Sequence, residues 1–193
     1  FGVTEPTSGT DTTRIQTFAK RQGDKYVVNG SKIWISRAEH SDLMVLLCRT
    51  ALRDENAKPS DGMSVLLVDM REAKGSGLTI KPVRTMLNHA TTELFFDNLE
   101  VPVENLIGEE GHGFRYIIDG MNAERILIAA ECIGDGKFFV DRASAYAKDR
   151  QVFGRPIGEN QGVQFPIARA HVQVTAAYLM VDHAARLFEA GKP

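Results

Sequence analysis

The sequence has few of the residues that mark disulfide-rich or metal-binding proteins. It contains two cysteines and one tryptophan among 193 residues. So few thiols exclude the disulfide framework of a small secreted domain. Cys48 and Cys132 lie far apart in apolar stretches, and we expect both to be reduced and buried. No metal-ligand spacing of His, Cys or carboxylates is present, so no metal site is predicted.

The chain also lacks a strong charge of one sign and a long apolar run. Its 23 Lys and Arg oppose 25 Asp and Glu, for a net charge of -2, which gives no electrostatic reason to expect nucleic acid as a partner. No apolar run reaches the roughly 18–20 residues that span a bilayer. With 43% hydrophobic and 25% charged residues, the composition is typical of a globular protein of one large or two small domains.

The first half of the chain has the pattern of short strands separated by turns. Runs of strand length occur at residues 15–19, 26–28, 32–35, 43–47, 64–68, 78–80 and 93–96. Asn29-Gly30 lies between the second and third runs and favours the two-residue turn of a β-hairpin. Several short strands of this kind predict a β-barrel-like domain over residues 1–101. His89 is predicted to lie in a loop with a structural role.

The second half has the spacing of helices. Apolar residues recur with helical periodicity from Gly113, which predicts one helix to about residue 149 and, after a break at residues 153–156, another over about 161–189. Pro166 would lie in the first turns of the second helix, which leaves a start near Phe165 as an alternative. Two long helices with apolar stripes need partner helices, from elsewhere in the protein or from another subunit. Residues 102–193 are therefore predicted to be part of an α-helical bundle domain, and the fold as a whole is predicted to be multi-domain α+β.

Three segments together carry a family resemblance. They are Val3-Thr4-Glu5-Pro6-Thr7-Ser8-Gly9-Thr10-Asp11, Asn29-Gly30-Ser31-Lys32-Ile33-Trp34-Ile35-Ser36, and Arg150-Gln151-Val152-Phe153-Gly154-Arg155-Pro156-Ile157 with Gln161 shortly after. Their order and spacing resemble the acyl-CoA dehydrogenase family, and the match runs the length of the chain. The resemblance implies that an N-terminal helical domain and the end of the bundle lie outside this chain.

The first segment contains a turn closed by Pro6 and Gly9, which exposes backbone N–H groups and hydroxyls to a ligand. Taken alone it would be a simple polar turn. The resemblance implies that Val3 and Thr4 meet the pyrimidine edge of the flavin of FAD. It also implies that Thr10 touches the acyl-CoA.

The second segment contains the single tryptophan. Because side chains alternate along a strand, Trp34 and Ser36 are predicted to share a face. Taken alone, Trp34 would be a core residue of a sheet. The resemblance implies that its ring packs beside the flavin and that the Ser36 hydroxyl bonds near flavin N5, where the family more often has Thr.

The third segment combines a guanidinium with an aromatic-glycine turn. The planar, always charged fork of Arg150 suits a pyrophosphate, although alone it would be an ordinary solvated charge. The resemblance implies that Arg150, Phe153 and Gln161 reach the FAD of a neighbouring subunit, and hence a homo-oligomer. The family motif carries a hydroxyl where this chain has Val152.

Glu124 is the candidate catalytic base. Its helical neighbours, residues 120, 121, 127 and 128, include three apolar side chains and no basic one, so a carboxylate there is costly unless it is functional or paired from another element. Many family members place the base farther downstream, but a subgroup resembling isovaleryl-CoA and long-chain acyl-CoA dehydrogenases places it here, before an arginine. Asn122 and Arg125 match family positions that contact the CoA, with Asn122 where Asp is common.

The resemblance implies α,β-dehydrogenation of an acyl-CoA, with electrons passed to an electron-transfer flavoprotein. It further implies a cytoplasmic location in a bacterium or the mitochondrial matrix in a eukaryote. Two alternatives stay open: an acyl-CoA oxidase or related flavin monooxygenase-like enzyme, and a non-catalytic acyl-CoA-binding homologue. Oxygen consumption without another acceptor distinguishes the first, and lack of flavin absorbance the second.

Overall fold

The computed structural model describes residues 1–87 and 90–192. The chain divides into two compact units, Phe1–Asp119 and Gly120–Pro193. His89 lies outside the described residues. The change from the sheet to long helices comes at Gly113, after β7 at Leu106–Ile107, and the placement of a domain boundary at residue 101 stays a prediction.

The described residues of the first unit form one sheet. Its strands are β1 (Phe18–Gln22), β2 (Lys25–Ser36), β3 (Leu43–Arg49), β4 (Met63–Asp69), β5 (Leu78–Pro82), β6 (Thr91–Pro102) and β7 (Leu106–Ile107). A short helix α1 (Met70–Ala73) follows β4, and short 3-10 turns cover Thr12–Arg14, Ala38–His40 and Val103–Asn105. The polar stretch 54–62 forms a loop between β3 and β4.

The sheet is mixed and open. Its strand order is β5-β6-β2-β1-β3-β4-β7, with antiparallel pairs except for β1 and β3, which run parallel. The α+β class is therefore confirmed. The predicted barrel-like closure is wrong for the described residues, because the edge strands do not pair and β7 has only two residues to offer.

The core of this unit follows the alternation of the strands. Tyr26 and Val28 of β2, Leu46 of β3, Leu66 of β4 and Leu94 of β6 are all buried in one cluster. Burying each such side chain contributes about 1.5–3 kcal/mol. The long pairing of β2 with β6 runs through this cluster, so β2 is a rigid support for the residues near its end.

The predicted hairpin at Asn29-Gly30 is wrong. β2 continues through both residues, and the two-residue hairpin turn lies at Gly23-Asp24, between paired residues Gln22 and Lys25. The Asn29 Oδ1 instead accepts the Asn98 backbone N–H at 2.9 Å, at an irregularity in β6. Long-range pairing with β6 therefore outweighs the local turn preference.

The strand predicted at residues 15–19 begins only at Phe18. The backbone N–H groups of Gln16 and Thr17 donate to the Glu5 carboxylate, at 2.6 and 2.9 Å, rather than to a neighbouring strand. Ile15 ends the preceding 3-10 turn. For these two N–H groups, the Glu5 carboxylate takes the place that a neighbouring strand would have in a sheet.

The two long helices have the predicted bounds: α2 spans Gly113–Asp149 and α3 spans Gln161–Glu189. A hairpin of β8 (Gln151–Val152) and β9 (Arg155–Pro156) and a 3-10 turn at Ile157–Glu159 connect them. The helices approach closely at Gly136, where an added Cβ would lie 2.7 Å from Val174 Cγ2. A larger residue than Gly at this position would separate α2 from α3.

The second unit buries few of its apolar side chains. Ile133 and Ala147 are its buried hydrophobic residues among those described. Exposed large ones lie along both helices: Leu127, Ile128, Phe138, Phe139, Tyr146, Phe165, Val172, Tyr178, Leu179, Met180 and Phe188. The expectation of unpartnered apolar stripes is met. Cys132 is exposed, which corrects the prediction of two buried thiols, whereas Cys48 is buried and burial raises its pKa to about 12.

Candidate functional site

The N-terminal segment joins two strands of the sheet. The Gly2 N–H donates to the Val45 carbonyl at 2.8 Å, and the Leu47 N–H donates to the Gly2 carbonyl at 3.0 Å. Farther on, the Ile33 N–H of β2 donates to the Thr4 carbonyl at 3.0 Å. The backbone of this segment is therefore hydrogen-bonded to β3 and β2, and it brings Thr4 beside the residue that precedes Trp34.

Trp34 lies at a β-bulge near the end of β2. Its φ is 63°, and the register against β6 shifts between Lys32 and Ile35. The side chain is 58% exposed although the strand around it is tightly paired. Ser36 is also exposed and Ile35 between them is buried, which agrees with the predicted shared face of Trp34 and Ser36. The bulge presents a large aromatic surface on a rigid support.

The turn of the first segment is held by its own backbone. The backbone groups of Glu5 and Ser8 exchange two hydrogen bonds at 3.0 and 3.1 Å, and the Ser8 hydroxyl donates to the Asp11 carbonyl at 2.6 Å. Thr10 is exposed within this turn. Its hydroxyl is thus accessible to a ligand.

A buried ion pair near this turn was missed by the sequence analysis. Lys32 Nζ lies 2.9 Å from Glu5 Oε1, with side-chain exposures of 0% and 4%. Burial alone would raise the pKa of Glu5, but attraction to Lys32 and hydrogen bonds from Thr17, Gln16 and Lys32 lower it below its ordinary value. Burial lowers the pKa of Lys32, and the attraction of Glu5 opposes this.

Glu124 lies on α2 and its side chain is exposed. Leu127 and Ile128, one turn away, are exposed as well. Among the described residues Glu124 forms no ion pair or hydrogen bond through its side chain. Arg125 Nη1 donates instead to Asn122 Oδ1 at 2.7 Å. One turn of helix therefore places a carboxylate without a counter-ion on an apolar surface, next to a cation with a neutral partner.

The β8–β9 hairpin presents its aromatic residue to solvent. Phe153 and Gly154 have φ of 54° and 77°, the conformation of a type I′ turn, which favours Asn-Gly over Phe-Gly. Phe153 is fully exposed at the tip. Arg150 lies at the base of this hairpin, where its carbonyl accepts the Ile157 N–H at 2.9 Å, and Gln161 begins α3. Arg150, Phe153 and Gln161 are all accessible. A positive φ at an exposed Phe costs free energy in the chain by itself.

The structure thus groups the predicted site residues within each unit. In the first unit, backbone hydrogen bonds link the Val3–Thr4 segment to the strand end that carries Trp34 and Ser36. In the second unit, one group is formed by Asn122, Glu124 and Arg125, and another by Arg150, Phe153 and Gln161. Within the described residues no helix is long and apolar enough to cross a membrane, and no group of metal-binding side chains occurs.

Comparison with known proteins identifies the family. The family models "Acyl-CoA dehydrogenase, middle domain" and "Acyl-CoA dehydrogenase, C-terminal domain" match residues 1–99 and 111–193. An acyl-CoA dehydrogenase of Bacillus subtilis is 38% identical over 194 residues, which cover 99% of this chain and 49% of that relative.

Solved structures give the same result. The crystal structure of acyl-CoA dehydrogenase from Geobacillus kaustophilus matches with a TM-score of 0.91 at 34% identity, over 100% of this chain and 50% of that one. A chain in a structure of the electron transferring flavoprotein of Acidaminococcus fermentans matches with a TM-score of 0.87 at 37% identity, over 100% and 50%. The chain spans about half the length of the relatives it matches. The resemblance drawn from the three sequence segments is therefore confirmed, and the chain belongs to the acyl-CoA dehydrogenase family, with sequence of its middle and C-terminal domains.

Proposed function

We propose that the full-length protein carrying this chain is an FAD-dependent acyl-CoA dehydrogenase that forms trans-2-enoyl-CoA from an acyl-CoA thioester. The named relatives are acyl-CoA dehydrogenases, and the two matched domains cover nearly the whole chain. The observation that carries the proposal is Glu124, an exposed carboxylate that lies among apolar side chains of α2 and has no ion-pair partner within residues 1–87 and 90–192.

The residues of the first unit fit a flat aromatic group such as the flavin. Trp34 offers an exposed ring on a rigid strand, and aromatic rings stack well on one another. Val3, Thr4 and Ser36 supply backbone and hydroxyl groups around it. When bound, FAD supplies the acceptor for the hydride that leaves the β carbon of the substrate.

The second unit fits the charged parts of the cofactor and the substrate. The Arg150 guanidinium suits a pyrophosphate, and exposed Phe153 and Gln161 lie in the same connection between the helices. We infer that these three bind FAD of a neighbouring subunit in a homo-oligomer. Since the exposed apolar stripes of α2 and α3 need partners, they are consistent with such an assembly.

Glu124 removes the proton from the carbon α to the thioester carbonyl. An acyl chain lying on Leu127 and Ile128 would exclude water from the neighbouring carboxylate, which makes it a stronger base. Thr10 binds the acyl-CoA, and Asn122 and Arg125 bind its CoA portion. The hydrogen bond between Asn122 and Arg125 already orients the guanidinium.

Electron-acceptor dependence tests the proposed function. The full-length protein is purified, its flavin absorbance is recorded, and acyl-CoA oxidation is followed with an electron-transfer flavoprotein or with oxygen alone as acceptor. We expect bound flavin, enoyl-CoA as product and turnover that requires the flavoprotein. Turnover with hydrogen peroxide formation in oxygen alone would identify an oxidase, and absence of flavin would identify a non-catalytic homologue.

A further inference from the structure

The Lys32–Glu5 ion pair differs from the other ion pairs of the described residues in being buried. Its side chains are 0% and 4% exposed, whereas those of Lys25, at the start of β2, and its partner Glu100 of β6 are 37% and 61% exposed. Moving two charges out of water is costly, and a buried pair is often no more stabilising than well-packed apolar residues. Stability alone does not account for this pair.

The charged groups of the pair also form hydrogen bonds with backbone groups. Lys32 Nζ donates to the Val3 carbonyl as well as to Glu5, both at 2.9 Å. The Glu5 carboxylate also accepts the N–H groups of Gln16 and Thr17. The ammonium and the carboxylate therefore join the N-terminal segment to β2 and to the chain that leads into β1.

These contacts lie beside the surface that we assign to the flavin. Val3 and Thr4 are adjacent to Glu5 in the chain, and Lys32 is separated from Trp34 only by Ile33, whose N–H donates to the Thr4 carbonyl. The bulge that exposes Trp34 begins at Lys32. One buried pair thus holds both backbone segments that present the ligand-facing groups.

We propose that Lys32 and Glu5 are positioning residues for FAD, which fix Val3–Thr4 relative to the Trp34 bulge through the Val3 carbonyl. This inference rests on the proposed function, because it assumes that the flavin binds on this surface. It assigns the two residues a role in the flavin site without contact with the flavin.

The test uses the full-length protein and two double variants. Lys32→Met/Glu5→Gln removes both charges and leaves no unpaired buried ion. Lys25→Met/Glu100→Gln is the matched control, an exposed ion pair between β2 and β6. We expect the first to raise the FAD dissociation constant about tenfold or more and to shift the visible absorbance of bound flavin. The control should stay within about twofold.

A measurement without flavin separates positioning from general stability. In the flavin-free protein the Ile33 amide, which reports the bond to Thr4, should exchange its hydrogen about tenfold faster or more in the Lys32→Met/Glu5→Gln variant. Amides in the core of β3 and β4 should keep the exchange rates of wild type, which a merely destabilised protein would not do.

Three results would overturn the positioning role or its basis. A folded Lys32→Met/Glu5→Gln variant with wild-type FAD affinity, absorbance and Ile33 exchange contradicts it. Should that variant not fold, rapid exchange of Ile33 in flavin-free wild type contradicts it as well. The third is wild type without bound flavin, which refutes the proposed function and the inference with it. The first two results, obtained with a wild type that binds FAD and turns over, refute this inference alone.

Discussion

At the residue scale, one backbone irregularity determines which side chains of β2 are accessible. Lys32 and Trp34 are two residues apart and would share a face in a regular strand. The bulge between Lys32 and Ile35 adds one residue on the β2 side, so Lys32 is buried while Trp34 is exposed. The same bulge therefore creates a buried ammonium and an accessible indole.

The ionisation of Glu5 predicts a pH dependence of stability. Because its pKa is lower in the folded protein than its ordinary value, Glu5 stabilises the fold above its unfolded pKa of about 4.3 and this contribution is lost as pH falls through the folded pKa. The free energy of unfolding of wild type should thus fall relative to Lys32→Met/Glu5→Gln as the solution is acidified. Urea unfolding of both proteins from neutral pH to about pH 3 measures this difference in the free energy of unfolding.

A constant difference in unfolding free energy across that range would contradict the lowered pKa of Glu5. The exposed pair serves as control. Lys25→Met/Glu100→Gln should follow wild type across the same range, since an exposed ion pair contributes about 0–1 kcal/mol.

The sequence could have predicted the buried lysine but not the bulge. Tyr26 and Val28 are core residues of β2, and a period of two continues through position 30 to Lys32. This alternation places the Lys32 ammonium on the buried face, where it requires a buried carboxylate as partner. No residue preference marks Trp34 for positive φ, because that conformation depends on pairing with β6.

At the element scale, the prediction from local turn preference was wrong where pairing with a distant strand decides the conformation of the same residues. Asn29-Gly30 has the residue types of a hairpin turn, but Gly30 lies so close to Thr17 that an added Cβ would be 2.6 Å from its Oγ1. Gly is required here for close approach rather than for a turn. The long helices, in contrast, were predicted with their bounds because their periodic signal is local.

Gly134 and Gly136, two of the four glycines of α2, give an element-scale prediction. Apart from its chain neighbours and its own helix backbone, the added methyl group of Gly134→Ala meets no described atom within 4 Å. It should stabilise the chain by about 0.5–1 kcal/mol through helix propensity. Gly136→Ala places a methyl group 2.7 Å from the stiff Val174 side chain and should destabilise it by about 1–3 kcal/mol. Thermal unfolding of the 193-residue chain, followed by far-ultraviolet circular dichroism, should show shifts of opposite sign. Equal shifts for the two variants would contradict the close packing of α2 against α3.

At the scale of the whole molecule, the sequence predicted which strands and helices the chain forms better than whether its sheet closes into a barrel. An open sheet and a barrel share the same short strands and turns, and closure depends on edge pairing that no residue pattern encodes. Likewise, apolar spacing predicted the stripes of α2 and α3 but not that Cys132 lies outside any core, because its burial depends on what packs against α2. Most site residues came from the three segments taken together, Asn122, Glu124 and Arg125 came from the family resemblance of α2, and all their assigned roles stay predictions.

Anaerobic reduction of the flavin by substrate tests the central claim most directly. The full-length protein, its Glu124→Gln variant and Glu131→Gln, a control two turns along the same helix, are mixed with an acyl-CoA, and the loss of oxidised flavin absorbance is timed. Wild type and Glu131→Gln should be reduced rapidly. Glu124→Gln should retain FAD but be reduced about a hundredfold or more slowly, as expected for loss of a general base. Reduction of Glu124→Gln at the wild-type rate would contradict the assignment of Glu124 as the base.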